Sequence, residues 1–174
     1  MKRDFIMPIL VLTLICLLMS GALAVGNRIT RPVIEQAAAE RAEAARKEII
    51  PAAARFDPIH AEGLPRSVTE AYGTPEGLGY IFMVTASGGY GGDIRLIIGI
   101  DPEGRILRSQ VLSHTETPGF GTVVFEKAAD YEGWDRAGAE TVDGVAGATI
   151  STNAYRNALW DAFTAFEIIK GARG

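Results

Sequence analysis

The sequence predicts an α+β fold, a small antiparallel sheet packed with helices, behind a single N-terminal transmembrane helix. Three observations predict it. Residues 6–25 form an uncharged apolar run. Segments 80–86, 94–100 and 106–112 are short runs rich in β-branched and aromatic residues, separated by turn-forming residues. Near the C-terminus Leu159, Ala162, Phe163, Phe166 and Ile169 recur at helical spacing and define one buried face.

Composition sets the outer limits. A chain of 174 residues is one or at most two domains. Hydrophobic residues make up 48% and charged residues 22%, the balance of an ordinary globular protein rather than a disordered one. The 17 Lys and Arg against 21 Asp and Glu give a formal charge of -4, which argues against nucleic acid as the partner. Without Lys2, Arg3 and Asp4, 15 basic residues face 20 acidic ones. A single cysteine, Cys16, excludes a disulfide framework and a cysteine-ligated zinc or iron–sulfur site within the chain. Two histidines, His60 and His114, leave little for a histidine metal cluster, and no metal site is expected.

Residues 1–27 read as a short tail and membrane anchor. Twenty residues at 1.5 Å rise span about 30 Å, the thickness of a bilayer's hydrocarbon core. The alternative is a cleaved secretory signal, with Lys2 and Arg3 as the basic start and Ala22-Leu23-Ala24 as a small-residue site. The run is longer than a usual signal core, which favours retention. Lys2 and Arg3 before the span nearly balance Arg28 and Arg31 after it. The signal-like pattern places the soluble domain outside the cytoplasm.

Residues 28–55 read as a linker helix, rich in Ala, Glu and Arg over 33–50, opened by Thr30 and Pro32 and stopped by Pro51. Residues 56–174 form the domain. Gly88-Gly89-Tyr90-Gly91-Gly92 separates the first two strands, and Asp101-Pro102-Glu103-Gly104 the second and third, giving an antiparallel meander. A short helix near 122–129 and an extended piece at 141–145 follow. The final helix is expected to start near Ser151 or Thr152, either of which can cap it, and to end at Gly171.

Three segments carry chemical content. In the first, Asp143-Gly144-Val145-Ala146-Gly147-Ala148-Thr149 leads into the final helix. Small residues there allow close approach of another molecule, and the free N–H groups of a helix start favour a phosphate. Thr149 sets a hydroxyl beside that place. An ordinary capped helix with a tight lead-in is the plainer reading. The second is Ser113-His114-Thr115-Glu116-Thr117-Pro118-Gly119-Phe120-Gly121, a polar turn-forming loop leaving a strand, where Phe120 offers a surface for a planar ring. The third, Gly88 to Gly92, reads as a plain hairpin loop.

In their order, Gly-Tyr-Gly-Gly-Asp-Ile (89–94), Ser-His-Thr-Glu-Thr-Pro-Gly-Phe-Gly (113–121) and Asp-Gly-Val-Ala-Gly-Ala-Thr (143–149) resemble the FMN-binding domain of the G subunit of Rnf-type electron transport complexes. They also resemble the related C subunit of sodium-pumping NADH–quinone reductases. The resemblance extends from the anchor through the final helix; Ala146 departs from it, where the family often has Ser or Thr.

The resemblance implies FMN carried by Thr149 through a phosphoester bond, with Gly147, Ala148, Ser151 and Thr152 around it. It implies that His114, Glu116, Thr117 and Phe120 lie near the flavin. Asp143 and Gly144 fall in the motif recognised by a separate flavin transferase, which uses FAD and a divalent metal. Other membrane and iron–sulfur subunits of a ferredoxin–NAD oxidoreductase complex moving sodium ions or protons are the implied partners, beside the lipid bilayer. The implied place is the inner membrane, single-pass, with the domain on the periplasmic side. A stand-alone tethered flavin carrier and a non-redox tethered binding domain are the other classes.

Overall fold

The computed structural model describes residues 2–119, 121–142 and 144–173. The chain divides into two compact units, Met1–Arg41 and Ala42–Gly174. Phe120 and Asp143, both named above as site residues, lie outside the described residues.

Helix α1 (Lys2–Ile49) begins in the first unit and ends in the second. In the first unit its large apolar side chains from Ile6 to Ile34 are all exposed, Leu23 at 76%. Water does not tolerate such a surface on an isolated helix, whereas hydrocarbon does. The helix is long and apolar enough to cross a membrane, with a mean hydropathy of 2.5 in its most apolar window. The expected second helix opening at Thr30 and Pro32 is not separate. Thr30 donates its hydroxyl back to Gly26 O (2.9 Å) instead of capping, and Pro32 is accommodated inside the helix. Pro32 removes one backbone hydrogen bond and crowds the carbonyl one turn back, yet the helix continues through it.

The second unit is built on a five-stranded antiparallel meander in the order β1 (Asp57–Pro58), β2 (Val68–Gly73), β3 (Tyr80–Ala86), β4 (Ile94–Ile100) and β5 (Ile106–Ser113). Strands β3 and β4 coincide with the expected segments and β5 is one residue longer. Strands β1 and β2 were not anticipated: one has two residues, and the other carries Thr69, Glu70 and Tyr72 among its apolar positions.

The apolar runs of β3 and β4 follow from burial on both faces. On one face Ile81, Met83 and Ile97 pack with Ala45, Ile49 and Ile50 at and just beyond the end of α1. On the other, Phe82, Val84, Leu96 and Ile98 pack under helix α4 (Thr149–Arg173). The face of α4 expected to be buried is buried, with Tyr155 added to it. The Tyr155 hydroxyl meets Ser109 Oγ on β5 at 2.5 Å, and burial pushes its pKa well above the ordinary 10.

Between β5 and α4 lie α2 (Val123–Glu126), a 3-10 turn (Ala128–Tyr131) and α3 (Arg136–Glu140). None of the described residues in the expected extended piece at 141–145 is in a strand. Thr141 instead closes α3, donating its hydroxyl to Gly138 O. Helix α4 starts at Thr149, two residues before Ser151, and runs through Gly171 to Arg173.

Candidate functional site

Three chain segments meet at one end of the sheet. They are the β3–β4 loop, the loop leaving β5, and the lead-in to α4. Together they enclose a cavity of about 550 Å³, in the range of small-ligand and cofactor sites. Register irregularities between Arg95 and Leu96 re-aim the loop leaving β5 at this end.

The lead-in to α4 is shaped locally. Gly147 has φ +83°, a conformation that side chains rarely adopt, and this turn brings the chain into the helix. Ala148 donates to Val145 O at 2.9 Å. Thr152 accepts from Val145 N (3.3 Å) and donates to Ala148 O (2.9 Å), so its hydroxyl staples the loop and it does not line the cavity. The first helical N–H with a carbonyl behind it is Thr152, on Ala148 O at 2.8 Å. The N–H groups of Thr149, Ile150 and Ser151 make no bond within the helix and form the positive end of the helix dipole. Thr149, the first residue of α4, is exposed and lines the cavity with Gly147, Ala148, Ile150 and Ser151.

The loop leaving β5 contributes Glu116, Thr117 and Gly121 to the lining. Glu116 is only 5% exposed. Its Oε2 accepts from the buried Ser151 hydroxyl (2.6 Å) and its Oε1 from Gly91 N (3.0 Å). A buried carboxylate needs such donors, and here they come from both other segments. Thr115 adds a second tie, donating its hydroxyl to Gly91 O at 2.6 Å. The β3–β4 loop is therefore more than a plain hairpin: it is pinned to the loop leaving β5. A Cβ at Gly91 would overlap the Thr115 carbonyl.

Of the sequence-predicted residues, the cavity brings together Thr149, Gly147, Ala148, Ser151, Glu116 and Thr117. It does not include His114, which shapes its own loop. His114 Nδ1 accepts from Glu116 N (3.1 Å) and its ring rests 5.1 Å from that of Phe125. Gly144 is exposed and also lies away from the lining.

Sequence reasoning missed Tyr90, 75% exposed, and Ile150, 52% exposed, which flank the cavity. The signal for Tyr90 was an aromatic residue set among four glycines, where a plain turn needs none. No Lys or Arg is among the described lining residues. An anion there depends on backbone N–H groups, while the aromatic and aliphatic flanks suit a planar ring. These features fit a phosphate-bearing flavin.

Residues 89–164 match the family model of the FMN-binding domain. The chain is 28% identical to the G subunit of an ion-translocating oxidoreductase complex from Shewanella piezotolerans, over 91% of this chain and 88% of that protein. It is 25% identical to the G subunit of the Na(+)-translocating ferredoxin:NAD(+) oxidoreductase complex of Acetobacterium woodii, over 83% of each. The G subunit of an ion-translocating oxidoreductase complex from Haemophilus influenzae is 42% identical over 52 residues, a match spanning 30% of this chain and only a quarter of that relative.

Proposed function

We propose that this chain, which carries an FMN-binding domain and is related along most of its length to the G subunits of ion-translocating oxidoreductase complexes, is the membrane-anchored flavoprotein of such a complex. FMN is attached to Thr149 by a phosphoester bond. When bound, FMN accepts and releases electrons singly or in pairs, and so connects two-electron with one-electron carriers.

The observation that carries this reading is the position of Thr149. Its exposed hydroxyl stands on the first residue of α4, at a cavity wall and beside first-turn N–H groups that have no partner within the helix. A phosphodiester keeps one negative charge, which suits the positive end of a helix. Attachment by a flavin transferase forms the Thr149 Oγ–P bond and breaks the pyrophosphate bond of FAD; AMP leaves and the hydroxyl proton is lost. Exposure of Thr149 and Gly144 suits access by that enzyme, with Asp143 and Gly144 in the segment it reads. Gly147 and Ala148 let the flavin phosphate approach the backbone, and Thr117, Ile150 and Tyr90 flank the ring.

The anchor keeps the domain at the inner membrane, on the periplasmic side, among the membrane and iron–sulfur subunits of a ferredoxin–NAD oxidoreductase moving sodium ions or protons. A covalent bond prevents loss of the cofactor where free flavin is not supplied. Its role in that complex is to relay electrons rather than to oxidise NADH.

Co-expression with a flavin transferase, followed by denaturing electrophoresis, tests the attachment. The wild-type band is expected to fluoresce as flavin and Thr149→Val to lose all of that fluorescence. Fluorescence retained by the valine variant removes Thr149 as the acceptor. Purification in mild detergent is expected to bring down the other subunits; a flavoprotein that always purifies alone favours a stand-alone carrier.

A further inference from the structure

We infer that Glu116 sets the reduction potential of the bound flavin, holding it low through a fixed negative charge in the cavity wall. This inference rests on the functional reading above.

Glu116 is the only charged residue among the described residues lining the cavity. Its immobility is built into the surrounding chain. Both oxygens accept hydrogen bonds, from Gly91 N and Ser151 Oγ, an acceptor-only set that matches an ionised carboxylate. Two glycines make room for it. A Cβ on Gly89 would lie 2.5 Å from Oε1, and one on Gly121 would run into Oε2. Its charge is therefore held by chain segments 25 and 35 residues away in sequence, and it is nearly excluded from water.

A fixed charge in a poorly solvated wall acts strongly on its neighbours. Two electrons delivered to the flavin with one proton leave one additional negative charge in the cavity. The carboxylate opposes that charge and so disfavours reduction. No Lys or Arg among the described lining residues offsets it. The α4 dipole partly compensates Glu116 through Ser151 but stays constant between the two redox states.

Glu116→Gln separates charge from tether. The amide oxygen still accepts from Gly91 N–H, and the amide nitrogen donates to Ser151 Oγ, so both links survive while the charge goes. The experiment is a spectroscopic redox titration of the full chain, matured with flavin and purified in detergent. Glu116→Gln is expected to take up flavin as the wild type does and to titrate at a more positive midpoint.

One control frames the result. Glu103→Gln removes an exposed carboxylate at the opposite end of β4 and is expected to keep the wild-type midpoint. A Glu116→Gln midpoint equal to the wild type overturns the inference, as does an equal positive shift in Glu103→Gln. Wild-type protein that carries no flavin after maturation overturns the functional reading itself. Bound flavin with unmoved midpoints overturns only the role of Glu116.

Discussion

The two hairpins that share β4 are held in opposite ways. At one end, Asp101-Pro102-Glu103-Gly104 closes on itself. Asp101 N donates to Arg105 O (2.9 Å), Gly104 N to Asp101 O (3.1 Å), and the Asp101 carboxylate accepts from Arg105 N (2.8 Å). Each of these partners is within four residues, and one further bond reaches the turn from α4, Lys170 Nζ donating to Pro102 O at 2.8 Å. At the other end, the Gly88–Gly92 loop has a local bond from Gly92 N to Gly89 O (3.3 Å), but it also depends on Glu116 and Thr115. The turn closed by its own backbone carries none of the residues that line this cavity. The loop held from a distance forms a cavity wall. A binding site is a meeting of segments, so its loops are fixed by each other rather than by their own turn chemistry.

That contrast can be broken by substitution. Gly91→Ala is expected to have the largest effect, because its Cβ meets the Thr115 backbone carbonyl, which cannot rotate away. Overpacking of this kind costs about 3 kcal/mol. Denaturant unfolding of the full chain in detergent measures it, and it should also reduce flavin loading. Gly104→Ala, at φ +87°, is expected to cost about 1 to 2 kcal/mol in the same measurement, with flavin loading unchanged. Equal loading in the two variants would dissolve the distinction between the hairpins.

The smallest effect is a pH dependence from the Ser109–Tyr155 pair on β5 and α4, which arises only in alkali. Burial raises the Tyr155 pKa above 10, while the Ser109 hydrogen bond opposes the shift. Below pH 10 both folded and unfolded forms are neutral, and the contribution is fully present. Above pH 10 the unfolded chain loses this proton first, so stability falls by about 1.4 kcal/mol per pH unit from this group until the folded pKa is reached. Melting temperatures between pH 9 and 11 should therefore fall less steeply for Tyr155→Phe than for the wild type.

The same division runs through what was legible in the sequence. The meander from β3 to β5 was readable because its strands are apolar and its second turn is locally encoded. Strand β2 was not, since a strand with Thr69, Glu70 and Tyr72 lacks a clear alternation. The start of α4 was misplaced at Ser151 or Thr152 because both are good capping residues. In the fold Ser151 instead donates to Glu116, and Thr152 staples the loop behind it. The ordered motifs singled out Thr149 and the loop of Glu116. They did not reveal that Glu116 is a buried bridge, or that His114 faces Phe125.

By itself the sequence determined the apolar span, strands β3 and β4, the buried stripe of α4 and the Gly-Ala-Thr motif that opens it. Each of these rests on spacing or composition within a few residues of chain. Only the tertiary structure decided that three loops share one cavity, that a single carboxylate joins them, and that Tyr90 flanks it. The physical reason is distance along the chain. A hydrogen bond between residues 25 or 35 positions apart leaves no local pattern, and exists only once the sheet and α4 have packed.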